Sequence, residues 1–444
     1  MSAAPAPAPG PGSAHAGGRA DLLIVGAAQL ITAPGAPGDA PLRGRALDEP
    51  ILLEDAAVAC VGGAIARVGK TADVLASFPE ARAHRVLDAR GLLLAPGFVD
   101  AHTHLPFAGT REMEFDARAR GESYESIAAK GGGIESSRRT LRATSQDDLT
   151  ELVAARLESL VVQGVTTVEA KSGYGLDWNE ERKQLRALQR AAERSPVTVV
   201  PTFLGAHAVP HEFRERRGAY IALLIDEMLP AVESERLARF CDVWCDKGIF
   251  TVEESRRILE AAKRHGLGAK LHADELGDAG AAGLAADLGA ISADHLLFAS
   301  DEGLKAMAAK GVVAVLLPGT AFTLGLPYAP ARSMIEMGMA VAVATDWNPG
   351  STMSSSIPLA MTMAVTQMKM TPAEAWMAVT ANAAAAVGEG ESAGRIQPGY
   401  RADFVLFDGG DYRHVPYHYG HDHARVVVCG GAVVHEAGQS SRCC

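Results

Sequence analysis

The amino-acid sequence predicts an α/β fold: a (β/α)8 TIM barrel carrying a small β-sandwich built from both chain ends. Three observations lead there. Between residues 96 and 390, eight short apolar runs alternate with amphipathic stretches, the pattern of parallel βα units. On either side of that middle, short β runs are joined by paired glycines. Polar side chains also gather at the C-terminal ends of the middle runs, the rim where such a barrel keeps its chemistry.

Taken in chain order, residues 1–20 are rich in Ala, Pro and Gly and lack the basic start and apolar stretch of a secretory signal. They are expected to be a disordered tail. Residues 21–95 are the first part of the sandwich. Leu22-Leu23-Ile24-Val25 opens it, and runs at 57–61 and 64–68 flank Gly62-Gly63 as a hairpin. The barrel covers 96–390, with strands expected at 98–102, 165–170, 197–204, 242–245, 268–272, 290–294, 312–317 and 340–345. Helical stretches at 147–162, 180–193, 253–264 and 278–288 separate several of them. Eight repeats suit a closed barrel better than an open doubly wound sheet, and no G-x-G-x-x-G follows a strand. The second part of the sandwich is 391–437, with a strand at 402–407 and arms at 426–429 and 432–434 around Gly430-Gly431. Residues 438–444 are a tail.

Composition excludes several classes of function. A chain of 444 residues, 48% of them hydrophobic, can bury more than one ordinary core. Its formal net charge of -11 argues against nucleic acid or an anionic membrane as partner, so an anionic substrate would need a local arginine. No run of 18 apolar residues predicts a membrane span. The six cysteines, Cys60, Cys241, Cys245, Cys429, Cys443 and Cys444, make no disulfide framework and suggest a reducing cytoplasm. Cys241 and Cys245 lack a second ligand pair nearby and are expected to pack in the core.

The chemistry starts at His102-Thr103-His104. Alternate side chains on a strand share a face, so both imidazoles point the same way. Further polar residues end the later strands: Lys171-Ser172-Gly173-Tyr174, His207, then His272 through Glu275, Asp294-His295, and Asp346-Trp347-Asn348. The best metal set is His102, His104, His272 and Asp346, three imidazoles and a carboxylate with room for water, as a catalytic mononuclear site requires. Such a cation lowers the pKa of a water and polarises a carbonyl. Glu275 is placed to accept the water's proton and pass it to a leaving nitrogen. His295 is expected to bond the nucleophile or the developing oxyanion.

These features resemble the amidohydrolase superfamily, and longer stretches resemble its imidazolonepropionase family. The matching runs include His102-Thr103-His104-Leu105, Ala108-Gly109-Thr110-Arg111-Glu112, Gly131-Gly132-Gly133-Ile134 and Glu169-Ala170-Lys171-Ser172-Gly173-Tyr174-Gly175-Leu176. Thr202 to Ala208, Lys270 to Glu275, Leu317-Pro318-Gly319-Thr320 and Asp346-Trp347-Asn348-Pro349-Gly350-Ser351 complete the set. The resemblance implies hydrolysis of 4-imidazolone-5-propanoate to N-formimidoyl-L-glutamate in histidine degradation. It implies one Zn2+ or Fe2+/Fe3+ per subunit, a small-molecule substrate and a homodimer. Substrate contacts carry over onto Arg111, Tyr174, His207, Glu275, Asn348, Gly350 and Ser351. Arg111 offers a planar fork for a propanoate carboxylate, and Tyr174 can close over the ring. His207 is expected to act as an electrophile on the carbonyl oxygen. The Asn348–Ser351 loop is expected to present amide N–H groups to an anion.

Some residues depart from that pattern or distract from it. Where the family usually has Cys-Glu after strand four, this chain has Cys245-Asp246, which puts that position's role in doubt. The next residue, Lys247, is expected to lie off the strand's inward face, and Trp347 to tighten the pocket or pack outward. The cluster His414, His418, His421 and His423 reads as a solvated or interface loop, and Gly131–Gly133 as a mobile loop over the pocket rather than a phosphate cradle. A superfamily deaminase of a purine or pyrimidine ring is the rival enzyme, since the same ligands and Glu275 would serve it. A catalytically dead scaffold barrel is disfavoured because all four metal-set residues are present.

Overall fold

In the computed structural model, residues 19–35, 40–122, 126–127 and 131–438 are described. Most of both expected tails, including Cys443 and Cys444, lies outside them. Among the described residues, sixteen strands form two sheets. Five precede the barrel: β1 (Leu22–Thr32), β2 (Ile51–Val61), β3 (Ala64–Lys70), β4 (Arg85–Asp88) and β5 (Leu93–Pro96). The barrel strands are β6 (Phe98–Asp100), β7 (Val165–Lys171), β8 (Thr198–Ala206), β9 (Phe240–Cys245), β10 (Gly268–Ala273), β11 (Ser292–His295), β12 (Val313–Leu316) and β13 (Val341–Val343). Three follow it: β14 (Phe404–Phe407), β15 (Ala424–Cys429) and β16 (Ala432–Glu436).

The strands of the two chain ends are hydrogen-bonded as one mixed sheet, in the order β16-β15-β14-β5-β1-β2-β3, with β4 also on β1. A register shift between Ile24 and Ala27, at Gly26 with φ 72, lets β1 pair with β4 in its first half and β5 in its second. Both double-glycine hairpins are present. All four glycines have positive φ, which matches the twist a two-residue turn needs. The sheet curls until these hairpins meet: Ala402 N–H donates to Gly63 O and Gly431 N–H to Ala402 O, each at 2.9 Å. Inside the curl lies one apolar cluster that includes Ile24, Val58, Ile65, Leu94, Phe404 and Val428.

The second sheet is the barrel, with β6 to β13 parallel and in sequential order. Its strands and expected helices fall within a few residues of the sequence reading. Helix starts follow side-chain caps: Ser145, Asp177, Thr251 and Ser300 each accept a backbone N–H from the first turn. The helix expected from residue 278 begins instead at Ala281, because Gly280 is left-handed and Asp274 takes the amides of Ala281 and Ala282.

Closure of the barrel is made beyond its regular strands. The strand expected to run to His102 ends at Asp100, and pairing resumes where Asp346 N–H donates to His102 O and His104 N–H to Trp347 O, both at 3.0 Å. Asp100 reinforces the seam by accepting the Thr345 amide at 3.1 Å and its hydroxyl at 2.6 Å. Among the described residues no helix is long and apolar enough to cross a membrane.

Gly97 joins the sheets, donating its amide to Asp403 O at 3.1 Å. A Cβ here would overlap the buried Thr166 side chain, standing 2.8 Å from its Cβ. Gly97→Ala is therefore expected to destabilise the fold by about 1–3 kcal/mol. The check is the urea midpoint; an unchanged midpoint would show that β6 can shift without cost.

Candidate functional site

Strand ends from around the barrel bring the expected donors together. His102 Nε2 and His104 Nε2 each lie 3.5 Å from Asp346 Oδ1, and His272 Nε2 lies 3.4 Å from His104 Nε2. All four residues are buried. His102 Nε2 and Asp346 Oδ1 have no hydrogen-bond partner, although burying such atoms unpaired is costly. His102–His104–Asp346 and His102–His272–His295 each form a group compact enough to hold an ion. Above them opens a cavity of about 610 Å3, lined by His104, Tyr174, His207, Glu275, Asn348 and Arg111 among others. His102 sits beneath it, closed off from the lining.

Carboxylates fix the ring orientations from behind. His102 Nδ1 is 2.6 Å from Asp294 Oδ2, and His272 Nδ1 is 3.0 Å from Asp242 Oδ2. Each Nδ1 therefore carries the hydrogen, and each Nε2 turns a lone pair to the centre. Burial, then Lys171 and the other imidazoles, holds His102 well below its ordinary pKa. Burial likewise lowers His295, to about 3. Burial works against ionising Asp346, yet hydrogen bonding to His104 and the nearby imidazoles keep its carboxyl below the usual range. Neutral imidazoles facing one ionised carboxylate are the donor set a divalent metal asks for.

Comparison with known proteins agrees with this architecture. Residues 131–435 match the model of the amidohydrolase family. An imidazolonepropionase of Symbiobacterium thermophilum is 50% identical over 95% of this chain and 99% of its own length. One from Geobacillus thermodenitrificans is 46% identical over 94% and 99%. The chain belongs to the imidazolonepropionase family. Its fold extends further: E. coli guanine deaminase superposes with a TM-score of 0.72 at 16% identity, covering 94% of this chain and 100% of that one. A zinc-bound adenosine deaminase from Xanthomonas campestris reaches 0.66 at 20% identity, covering 93% and 92%.

In this family member the remaining expected residues line the cavity above the donors. Glu275 is buried, and its carboxyl is pushed well above the ordinary range by burial, then by Asp346 and Asp246. Its Oε2 lies 3.6 Å from His295 Nε2. Tyr174 stands over His104 and His207, with ring centroids 5.8 and 5.4 Å away. Its loop is held by Glu181, which accepts the amides of Gly173, Gly175 and Leu176 at 2.8–3.0 Å. The Arg111 side chain is 8% exposed and pairs with Glu114 at 2.5 Å, while its Nε has no partner. Gly350 admits it closely: a Cβ there would lie 3.1 Å from Arg111 Cζ.

Two expectations need correction. His207 Nδ1 lies 2.9 Å from Gly173 O, and a carbonyl only accepts. Burial, then the neighbouring imidazoles of His104 and His272, keep His207 well below its ordinary pKa, so the neutral ring presents an acceptor at Nε2. It is placed to receive an N–H, not to act as an electrophile on a carbonyl oxygen. The amides of Gly350 and Ser351 are also occupied: both donate to Asn348 Oδ1, at 2.7 and 2.9 Å. Asn348 Nδ2 in turn donates to Asp346 O and Ser351 Oγ. This loop braces the carboxylate of Asp346 instead of offering N–H groups to an anion.

The residues singled out as distractions fall outside the centre. Lys247 is exposed, and Trp347 packs on Phe107 with centroids 6.3 Å apart, away from the cavity lining. Cys241 and Cys245 are buried, and burial pushes the Cys245 thiol up to about 11. The His414 and His418 rings lie 4.1 Å apart, tilted, but among the described residues no three of the late histidines form a metal-holding group. Gly133 donates its amide to Glu114 Oε1 at 2.9 Å, so the glycine run is docked beside Arg111.

The sequence reading missed the charges beneath the site. Lys171 Nζ lies 2.8 Å from Glu169 Oε2 and Asp242 Oδ2 and 3.4 Å from Asp294 Oδ2; Lys270 Nζ lies 3.1 Å from Glu169 Oε1. None of these side chains is exposed. The signal was the i, i+2 spacing of Glu169 with Lys171 and of Lys270 with His272, which aims each pair into the barrel. Lys171→Met removes the cation shared by three buried carboxylates, leaving Lys270 beside Glu169 alone, and is expected to cost about 3–5 kcal/mol. Equilibrium urea unfolding checks this; no loss of stability would mean that Lys270 alone suffices.

Proposed function

We propose that this chain hydrolyses 4-imidazolone-5-propanoate to N-formimidoyl-L-glutamate, using a metal held by His102, His104, His272 and Asp346. The activity rests on the full-length imidazolonepropionase relatives. The observation that carries the site is the buried, unpartnered pair His102 Nε2 and Asp346 Oδ1, 3.5 Å apart. Zinc and iron both accept three imidazoles and a carboxylate, and we assign one such ion per subunit. We also propose a homodimer, on the prevalence of two-fold assemblies, and a reducing cytoplasm, on the four buried thiols.

When bound, the cation acidifies a water and polarises the ring carbonyl. The residues of the chain do the rest. Arg111 binds the propanoate carboxylate and orients the ring, with Tyr174 closing over it. The neutral His207 receives a ring N–H at Nε2. Glu275 takes the proton of the attacking water as its oxygen bonds to the carbonyl carbon. The carbon–nitrogen bond then breaks, and Glu275 returns that proton to the departing nitrogen. His295, within reach of Glu275, steadies the carboxyl during both transfers. Arg111 favours this reading over a deaminase, whose ring substrates carry no carboxylate for it.

A spectrophotometric assay with freshly made substrate tests the proposal. Turnover is expected to vanish with a chelator and return with zinc or ferrous iron; chelator-resistant turnover would refute the metal centre. Arg111→Ala is expected to raise KM strongly, and an unchanged KM would overturn the assigned substrate orientation. Glu275→Gln is expected to lower kcat by about 10²–10⁴-fold.

A further inference from the structure

Glu275 reaches the cavity from a turn that another strand holds in place. Asp246, the residue after β9, is buried, and its Oδ2 accepts the backbone N–H groups of both Glu275 and Leu276, each at 2.7 Å. Its Oδ1 accepts the N–H of Lys247 at 2.7 Å. On the turn's other side, Asp274 points away from the cavity and accepts the amides of Ala279, Ala281 and Ala282. Asp274 is itself left-handed, at φ 50. A non-glycine residue holds that conformation only where its surroundings over-determine it. Here the Asp274 carboxylate holds amides at 279, 281 and 282, and Asp246 holds those of the two residues that follow Asp274.

Asp246 does not line the cavity, whereas Glu275 and Leu276 do. It therefore reaches the chemistry only through Glu275, by the turn it holds and by the charge it sets beside that carboxyl. We propose that Asp246 is a positioning residue for the hydrolysis: its paired bonds set where the Glu275 carboxyl stands relative to the attacking water. This rests on the reading that Glu275 carries the proton.

Steady-state kinetics of Asp246→Ala, Asp246→Asn and Glu275→Gln decide the matter, with bound metal and thermal unfolding measured on each. Asparagine keeps an oxygen for both turn amides and gives up only that of exposed Lys247. Asp246→Ala is expected to lower kcat about 10²-fold, the scale of a displaced catalytic group, with KM and metal content near the parent values. Asp246→Asn is expected to recover most of that rate. Should the alanine variant not fold, Asp246→Thr, whose short hydroxyl reaches at most one amide, carries the same expectation. An unchanged kcat in Asp246→Ala, beside a crippled Glu275→Gln, overturns the role of Asp246 alone. Equal losses in the alanine and asparagine variants, with KM raised or metal lost, also overturn it by showing a merely structural part. If Glu275→Gln itself turns over normally, the proton-carrier reading fails and this inference with it.

Discussion

The Lys171 ammonium, buried among the carboxylates of Glu169, Asp242 and Asp294, is the constraint on which the site depends. Isolated charges in a barrel core are prohibitively costly, so each of these groups requires the others. Asp242 and Asp294 each turn a second face to an imidazole, His272 and His102 respectively. The lysine thereby fixes two carboxylates, the carboxylates fix two ring tautomers, and the rings fix the centre. That chain of contacts crosses β7, β9, β10 and β11 and ends at His102, two residues beyond β6. Only a closed barrel brings those strands around one axis.

The centre also carries local strain. Asp274, His295 and Asp346 all have left-handed backbone, at φ 50, 75 and 54. Each lies at or beyond a strand's C-terminal end, where the chain turns sharply; His295 and Asp346 face the cavity, whereas Asp274 turns to the amides of Ala281 and Ala282. Hydrogen bonds hold these conformations: Asn348 and Ser351 brace Asp346, and Asp246 braces the turn after Asp274. Pre-organisation of this kind is what a catalytic constellation needs from its supporting residues.

Deaminases share the barrel at 16–20% identity, so the fold by itself does not choose the reaction. On the proposed function, the choice lies in the upper cavity. Arg111, paired on one side with Glu114 and seated against Gly350, suits a small acid. His207, locked by Gly173 O as an acceptor, suits a ring that carries an N–H. The Glu181 carboxylate, three amides in its grip, shapes the loop that sets Tyr174 between them.

Alternation and repetition along the chain were enough to reveal the eight barrel strands, both glycine hairpins and the two histidines sharing a face. Those properties belong to neighbours in sequence, and local sterics decide them. The polar residues ending those strands likewise pointed to Glu275, His295 and the four residues proposed to hold a metal. Other features were invisible because they depend on which strands become neighbours. Lys171 finds Asp242 across 71 positions, and Asp246 finds Glu275 across 29. The tautomer of His207 and the inward-folded amides of Gly350 and Ser351 follow from partners that no spacing rule names. A period of two states which way a side chain faces; only the closed barrel determines what it meets there.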